Sequence, residues 1–225
     1  MLPSSTIINR SLRTYVMPAL RAGGFEKVDA RNAWNWRSEC IWVFNIRAVG
    51  NYFSAVTGWP PASVCVWLGV YYRFIPRTGK IKTDEKGRVC PAEFACHMRS
   101  HLDRGLLQRD RVGTLRSENP AERSRRDIWW LDPDGTNAEE VARDIAARVS
   151  ETAIPWFTRC TDLKAALSEV EAGHDCFIKF VLAAYVAGRL ENVALRDKYT
   201  RLAEEEGLRI GHVPDKEKWF PLEGV

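Results

Sequence analysis

No stretch of roughly 18 or more uninterrupted apolar residues occurs in this chain, so no segment reads as a membrane span. The N-terminus, MLPSSTIINRSLRTYV, lacks a basic stretch followed by an apolar one and does not read as a secretory signal. None of the six cysteines (Cys40, Cys65, Cys90, Cys96, Cys160, Cys176) stands in a CxxC pair. Without an export signal they are expected as reduced thiols of a cytoplasmic protein, not as a disulfide framework. Histidine is scarce, at four residues, and no Gly-x-Ser-x-Gly elbow, Cys–His signature or H-E-x-x-H is present. Gly23-Gly24 and the Gly79-Lys80 step lack the strand–loop–helix spacing of a phosphate cradle, because Gly24 leads into Phe25 and not into a helix. The acidic pairs Asp132/Asp134 and Glu139/Glu140 read as turn residues and helix N-terminal charges that suit the macrodipole. No convergent acid, base and nucleophile motif is left, so the chain is expected not to be an enzyme and to need no cofactor.

What the chain has in plenty is tryptophan. Nine indoles in 225 residues, with 45% hydrophobic and 28% charged residues, describe a globular protein with a real core. Arg31 to Arg37, Cys40 to Arg47 and Val64 to Phe74 carry β-branched and aromatic residues at strand density. Ile8, Leu12, Tyr15, Val16, Ala19 and Leu20 lie at helical spacing in a first helix to about Ala22, capped at Ser4 or Ser5. Pro18 should kink or split that helix, and Gly23-Gly24 should end it. The first two strands join tightly around Ser38-Glu39 as a hairpin, and Gly50 to Ala62 reads as a loop. Residues 77–88 read as a polar hairpin tip, Phe94 to Leu102 as a fourth strand, and Gln108 to Arg126 as a mobile arginine-rich loop. Asp127 to Leu131 is a short last strand, and Asn137 caps a helix to about Thr152. Ala153 to Phe157 reads as an apolar break. Leu163 to Val170, Cys176 to Ala187 and Val193 to Glu206 are helical, and the last two read as an αα-hairpin.

The expected fold class is therefore α+β: a mostly antiparallel sheet of four to six strands packed by helices, followed by a C-terminal α-helical hairpin. Residues 1–157 should form the core domain, and 158–225 a helical appendage packed on it. Trp34 or Trp36, Trp42, Phe44, Trp67 and Trp130 are expected on the sheet's buried face.

The motif order Gly24-Phe25, Trp34 to Arg47, Leu68-Gly69-Val70-Tyr71, Ile128-Trp129-Trp130 and Ile154-Pro155-Trp156-Phe157 resembles a bacterial family called domain of unknown function 4304. The resemblance covers about residues 10–170. It implies the α+β order of elements, carries no established activity and transfers no catalytic residue.

Two clusters remain as candidates for chemistry. Cys90, Cys96, His97 and His101 place four donors of the kind zinc uses within twelve residues. Against a metal, Cys96 and His97 are neighbours that would point to opposite faces of a strand. The second cluster is basic: Arg99, Arg104, Arg109, Arg111, Arg116, Arg123, Arg125 and Arg126, with Trp129, Trp130 or Tyr72 near enough in sequence to stack on bases. Residues 1–126 hold 21 Lys/Arg against 10 Asp/Glu, whereas residues 127–225 hold 12 against 19. That asymmetry fits a polyanion-binding surface, or two halves that attract each other. Asp103, Asp110, Glu118, Glu122 and Asp127 lie among the arginines and can pair with them locally. The reading adopted is an intracellular bacterial binding protein, immunity- or adaptor-like, that acts through a protein partner and not at a membrane. The alternative is nucleic-acid binding through Arg109, Arg111, Arg116, Arg123, Arg125 and Arg126, in a defence or mobile-element system.

Overall fold

In the computed structural model of the chain, which describes residues 4–76, 81–108, 115 and 120–211, the interruption at Pro18 takes the form of a widened turn. Helix α1 (Ser4–Ser11) passes into a π turn (Leu12–Val16) and then into α2 (Met17–Ala22). The Met17 N–H reaches back five residues to the Leu12 carbonyl. Proline has no N–H, and its ring crowds the carbonyl four residues before it. A new α-helical segment that begins just before Pro18 leaves that missing donor at a position where none is needed. The same device recurs downstream. Helix α5 (Ala138–Arg148) runs into a π turn (Val149–Ala153), where the Ile154 N–H reaches Val149 O, and on into α6 (Ile154–Thr161) with Pro155 at its second position. The expected apolar break at Ala153 to Phe157 is thus corrected to continuous helix, because the widened turn absorbs the proline.

The α2 terminus is a Schellman motif. Phe25 N–H donates to Leu20 O and Gly24 N–H to Arg21 O, both at 3.0 Å, with Gly24 at φ +89° where a side chain would be strained. Phe25 then packs against Trp42 with the rings tilted and edge-on against Phe44, at ring separations of 6.2 and 6.3 Å.

Six strands form one antiparallel sheet in the order β1-β2-β3-β4-β5, with β6 also on β4. These are β1 (Lys27–Val28), β2 (Asn32–Trp36), β3 (Cys40–Ala48), β4 (Val64–Tyr72), β5 (Met98–His101) and β6 (Ile128–Trp129). The β2–β3 hairpin turns at Ser38-Glu39, as expected, with Trp34 opposite Val43 and Trp36 opposite Ile41. Alternation along the strands then defines two faces. Trp42, Phe44, Val64, Val66, Leu68 and Val70 share the face that meets Phe25 and the helices, and all are buried. Trp129 joins them, donating its indole N–H to Asp144 of α5 at 2.7 Å. Ile8, Leu12, Val16 and Leu20 on one helix pair and Val141, Ile145 and Val149 on the other complete this core.

The second face carries Trp34, Trp36, Asn45, Arg47, Trp67, Gly69 and Tyr71, and part of it is roofed by the segment after the polar tip. Trp34 donates to Pro91 O at 2.9 Å and Trp36 to Val89 O at 2.8 Å, with the Arg88 guanidinium 3.6 Å over the Trp36 ring. A 3-10 turn (Glu93–Ala95) follows, so the expected strand from Phe94 shortens to Met98–His101 and Phe94 stands 69% exposed. Trp34, Trp42, Phe44 and Trp130 are buried as expected, whereas Trp36 and Trp67 are half-buried on this second face. The other end of β4 is covered by Trp59, Leu115, Ile128 and Trp130. Trp59 is fully buried and lies 5.7 Å from the Trp130 ring. Helix α3 (Asn51–Thr57), within the expected loop, leans Phe53 on that cluster, and a short α4 (Pro120–Ser124) lies within the expected arginine loop.

The chain divides into two compact units, one of Met1–Tyr71 with Thr83–Trp156 and one of Tyr72–Lys82 with Phe157–Val225. In the second, α7 (Leu163–Ala172), α8 (Phe177–Arg189) and α9 (Val193–Arg209) pack through Phe180, Val181, Ala184, Ala187, Tyr199 and Ala203. Asp162 caps α7, and the Lys179 ammonium donates to Glu171 O, Gly173 O and the Asp175 carboxylate, holding the turn into α8. The α8–α9 turn falls at Leu190 to Asn192, with Glu191 at φ 57°.

Gly69 offers a direct test of the roofed face. A Cβ there would lie 2.6 Å from Cys96 Sγ and 2.8 Å from Cys96 Cβ, so no side-chain rotation of the thiol relieves the clash. Gly69→Ala is expected to destabilise the protein by about 1–3 kcal/mol, as overpacking does. Urea denaturation checks this, and an unchanged midpoint would contradict the packing described.

Candidate functional site

Between the two covers of the second face lies a strip built around one carboxylate. Glu93 enters from the 3-10 turn with its side chain wholly shielded from solvent. Its two oxygens accept from Arg47 Nη2 at 2.8 Å and Arg99 Nε at 2.6 Å. A carboxylate without solvent is tolerated only when paired, and here each oxygen has its own guanidinium. Arg47 also donates from Nε to Asn45 Oδ1 at 2.9 Å, and Asn45 donates to Asn32 Oδ1 at 2.7 Å. The two arginine side chains are still 42% and 43% exposed. Beside them Trp67 turns its indole N–H into Cys65 Sγ at 3.3 Å, with Arg99 5.7 Å from its ring and the His101 ring edge-on at 5.9 Å. Register explains the grouping, since Arg99 pairs with Gly69 and His101 with Trp67.

The four donors singled out for a metal do not converge. Cys96 lies against Gly69, and Cys90 donates its thiol to Arg88 O at 3.6 Å. His97 packs on Tyr71 with ring centroids 4.6 Å apart while His101 meets Trp67. Those histidines share a face but are four residues apart along extended chain, a span of about 13 Å. Among the described residues no group of three or more His, Cys, Asp or Glu is arranged to hold a metal ion. Burial pushes the Cys96 thiol up, reinforced by Glu93, and pulls His97 down to about 4. These groups therefore stay neutral near pH 7.

The basic set is divided. Arg109, Arg111 and Arg116 lie outside the described residues. Arg104 donates to Ile128 O, Leu106 O and Arg125 O, and its own N–H to Arg126 O, tying together the two ends of the segment. Gln108 repeats the tie, exchanging hydrogen bonds with the Trp130 backbone. Arg125 forms a two-point pair with Asp127 at 2.9 and 2.5 Å, reaches Glu122 at 3.5 Å and lies over Phe53 at 5.4 Å. Arg99 gives one N–H to Glu93 and is itself exposed, as are Arg123 and Arg126. Trp129, Trp130 and Tyr72, named as stacking partners for bases, are buried and offer no free ring face.

Sequence reasoning missed α3. Gly50, at φ 83°, and Gly58, at φ 85°, bracket it, and its outer side carries Tyr52 at 86% and Val56 at 65% exposure. The two are one turn apart, so they form a single apolar projection. The i,i+4 aromatic–aliphatic pair between two glycines was a usable signal. The burial of Glu93 was not legible, because nothing local marks that glutamate as internal.

His97 makes the strip's surroundings sensitive to acid. Its folded value near 4 lies below the ordinary 6.5, so in this window the unfolded chain binds the extra proton. Stability is therefore expected to fall as pH drops from about 6.5 towards 4, by up to about 3 kcal/mol from this group. His97→Phe keeps the contact with Tyr71 and removes the proton site. The difference in urea stability between the two proteins should shift in the variant's favour on acidification, and a pH-independent difference would refute this.

No described helix is long and apolar enough to cross a membrane. No curated protein and no solved structure matches the chain significantly. The family described as domain of unknown function (DUF4304) matches residues 16–159, from the end of the first π turn to a point inside α6. With more than half of its length inside that match, and the α+β order of elements in place, the chain belongs to the DUF4304 family.

Proposed function

We propose that this protein is a non-enzymatic, cytoplasmic binding protein, immunity- or adaptor-like, that acts by docking on a protein partner. The observation that carries the reading is the Tyr52/Val56 projection on α3. Large apolar side chains this exposed, adjacent and fixed on an anchored helix are the composition of an interaction hot spot. The anchor is Phe53, packed against the cluster of Trp59, Leu115, Ile128 and Trp130. Two further features support it. His97 and Cys96 serve as packing elements, His97 on Tyr71 and Cys96 on Gly69. Much of the described part of the arginine segment is spent on its own carbonyls and carboxylates, which favours a protein partner over a polyanion.

The test is site-specific photo-crosslinking from position 52 in cells that make the protein. A discrete crosslinked species is expected, lost when Val56→Glu is added while the circular dichroism spectrum and urea midpoint stay unchanged. Loss of an aromatic hot-spot side chain should weaken binding by at least about 2 kcal/mol, so Tyr52→Ala should reduce capture roughly thirtyfold. Diffuse crosslinking that ignores Val56→Glu would reject the surface. A crosslink to a second copy of the chain, with a matching dimer on size-exclusion chromatography, would replace the partner by self-association.

A further inference from the structure

We propose that the strip Asn45–Arg47–Trp67–Arg99–His101 on the second face of the sheet is a binding site for a nucleotide unit, with the phosphate on the two guanidiniums and the base on the indole. None of these residues belongs to the α3 projection.

Glu93 sets the geometry of the strip. An internal ion pair is weak evidence for stability, since apolar residues of similar volume do as well or better. What this carboxylate does achieve is orientation. It takes one N–H from each guanidinium, and Asn45 takes another from Arg47. A guanidinium has five N–H donors in a planar fork. The greater part of each fork therefore remains uncommitted, on side chains 42% and 43% exposed. Because Glu93 holds one arginine on each oxygen, the two forks are fixed side by side. Arg47, Arg99 and Glu93 together carry one net positive charge. Such paired, pre-oriented forks suit the oxygens of a phosphate.

The indole supplies the second half of the recognition. Trp67 has its only polar atom satisfied by Cys65 Sγ, so what the half-buried side chain presents to a ligand is ring. Stacking on such a ring is tolerant of base identity and pairs naturally with a cationic neighbour, here Arg99 at 5.7 Å. His101, edge-on to the same ring and 3.6 Å from Asp103, closes the other side. The remaining nearby acid, Asp127, is taken up by Arg125. The chemistry is shared by free mononucleotides and by single-stranded nucleic acid, and the probes separate them.

The experiment titrates the full chain with adenosine monophosphate, inorganic phosphate and a fluorescein-labelled single-stranded oligonucleotide, in parallel with Trp67→Leu, Arg99→Gln and Arg123→Gln/Arg126→Gln. Trp67→Leu leaves the carboxylate and its arginines intact, so it tests the site without disturbing Glu93. The proposal expects binding of the mononucleotide or the oligonucleotide, weakened about tenfold by Trp67→Leu, as for loss of one base–aromatic stack. Arg99→Gln should weaken binding and flatten its salt dependence, and the Arg123/Arg126 double variant should leave binding unchanged. Oligonucleotide binding that greatly exceeds mononucleotide binding identifies the polymer, and equal binding identifies the free nucleotide. Absence of binding by all three probes at millimolar concentration overturns the proposal. So does binding insensitive to Trp67→Leu and Arg99→Gln, or lost in the Arg123/Arg126 variant.

Discussion

Half of this sheet is organised by a single unsolvated carboxylate. Glu93 cannot be buried without cations, and the two that pair with it come from β3 and β5 on either side of β4. Satisfying it draws the 3-10 turn down onto β4, which in turn demands that residue 69 be glycine, because Cys96 then occupies the volume a side chain would need. The segment leading to the turn must cross Trp36 and Trp34, and both indoles meet it with hydrogen bonds to its carbonyls. The exposed arrangement of Arg47, Trp67 and Arg99 follows from this one requirement rather than from separate causes.

The strands were legible because period-two patterning and tryptophan density are local signals, and the β2–β3 turn fell where Ser38-Glu39 marked it. The helices of the second unit were legible from their helical periodicity, and of the small residues that suggest close approach Ala183, Ala184 and Ala187 are buried whereas Ala194 is exposed. Reading failed where a residue's role depends on partners distant in sequence. Phe94 resembles a strand residue, yet Glu93 beside it is claimed by Arg47, forty-six positions earlier. Trp129, Trp130 and Tyr72 look available beside an arginine-rich stretch, but their bulk belongs in the interior and goes there. The histidines and cysteines between positions 90 and 101 illustrate the same limit. Closeness in sequence became separation along extended chain, about 13 Å of backbone between His97 and His101.

The family match and the division of the chain nearly coincide. It ends at residue 159, inside α6, and the first unit ends at Trp156. Both the α3 projection and the Arg47–Glu93–Arg99 strip lie within the matched residues, whereas α7, α8 and α9 lie beyond them. The two proposed binding surfaces thus lie in the part of the chain that the family model covers, and α7, α8 and α9 are carried in addition to it.

The widened turns before Pro18 and Pro155 impose a rule on spacing. Ile8, Leu12, Val16 and Leu20 follow one another at intervals of four, as do Val141, Ile145, Val149 and Ala153, and all eight are buried. On a regular α-helix a strict four-residue repeat rotates by about 40° at each step, so three steps would swing the stripe about 120° off its face. A turn that takes in one more residue cancels most of that drift, and the stripe runs straight to the core. Each of these helices is therefore phased as two segments joined by one inserted residue. Loss of a single residue within 12–16 or 149–153 would leave both halves helical while rotating them about 100° out of step. Frame along these two helices, more than the identity of any one side chain, is what the core reads.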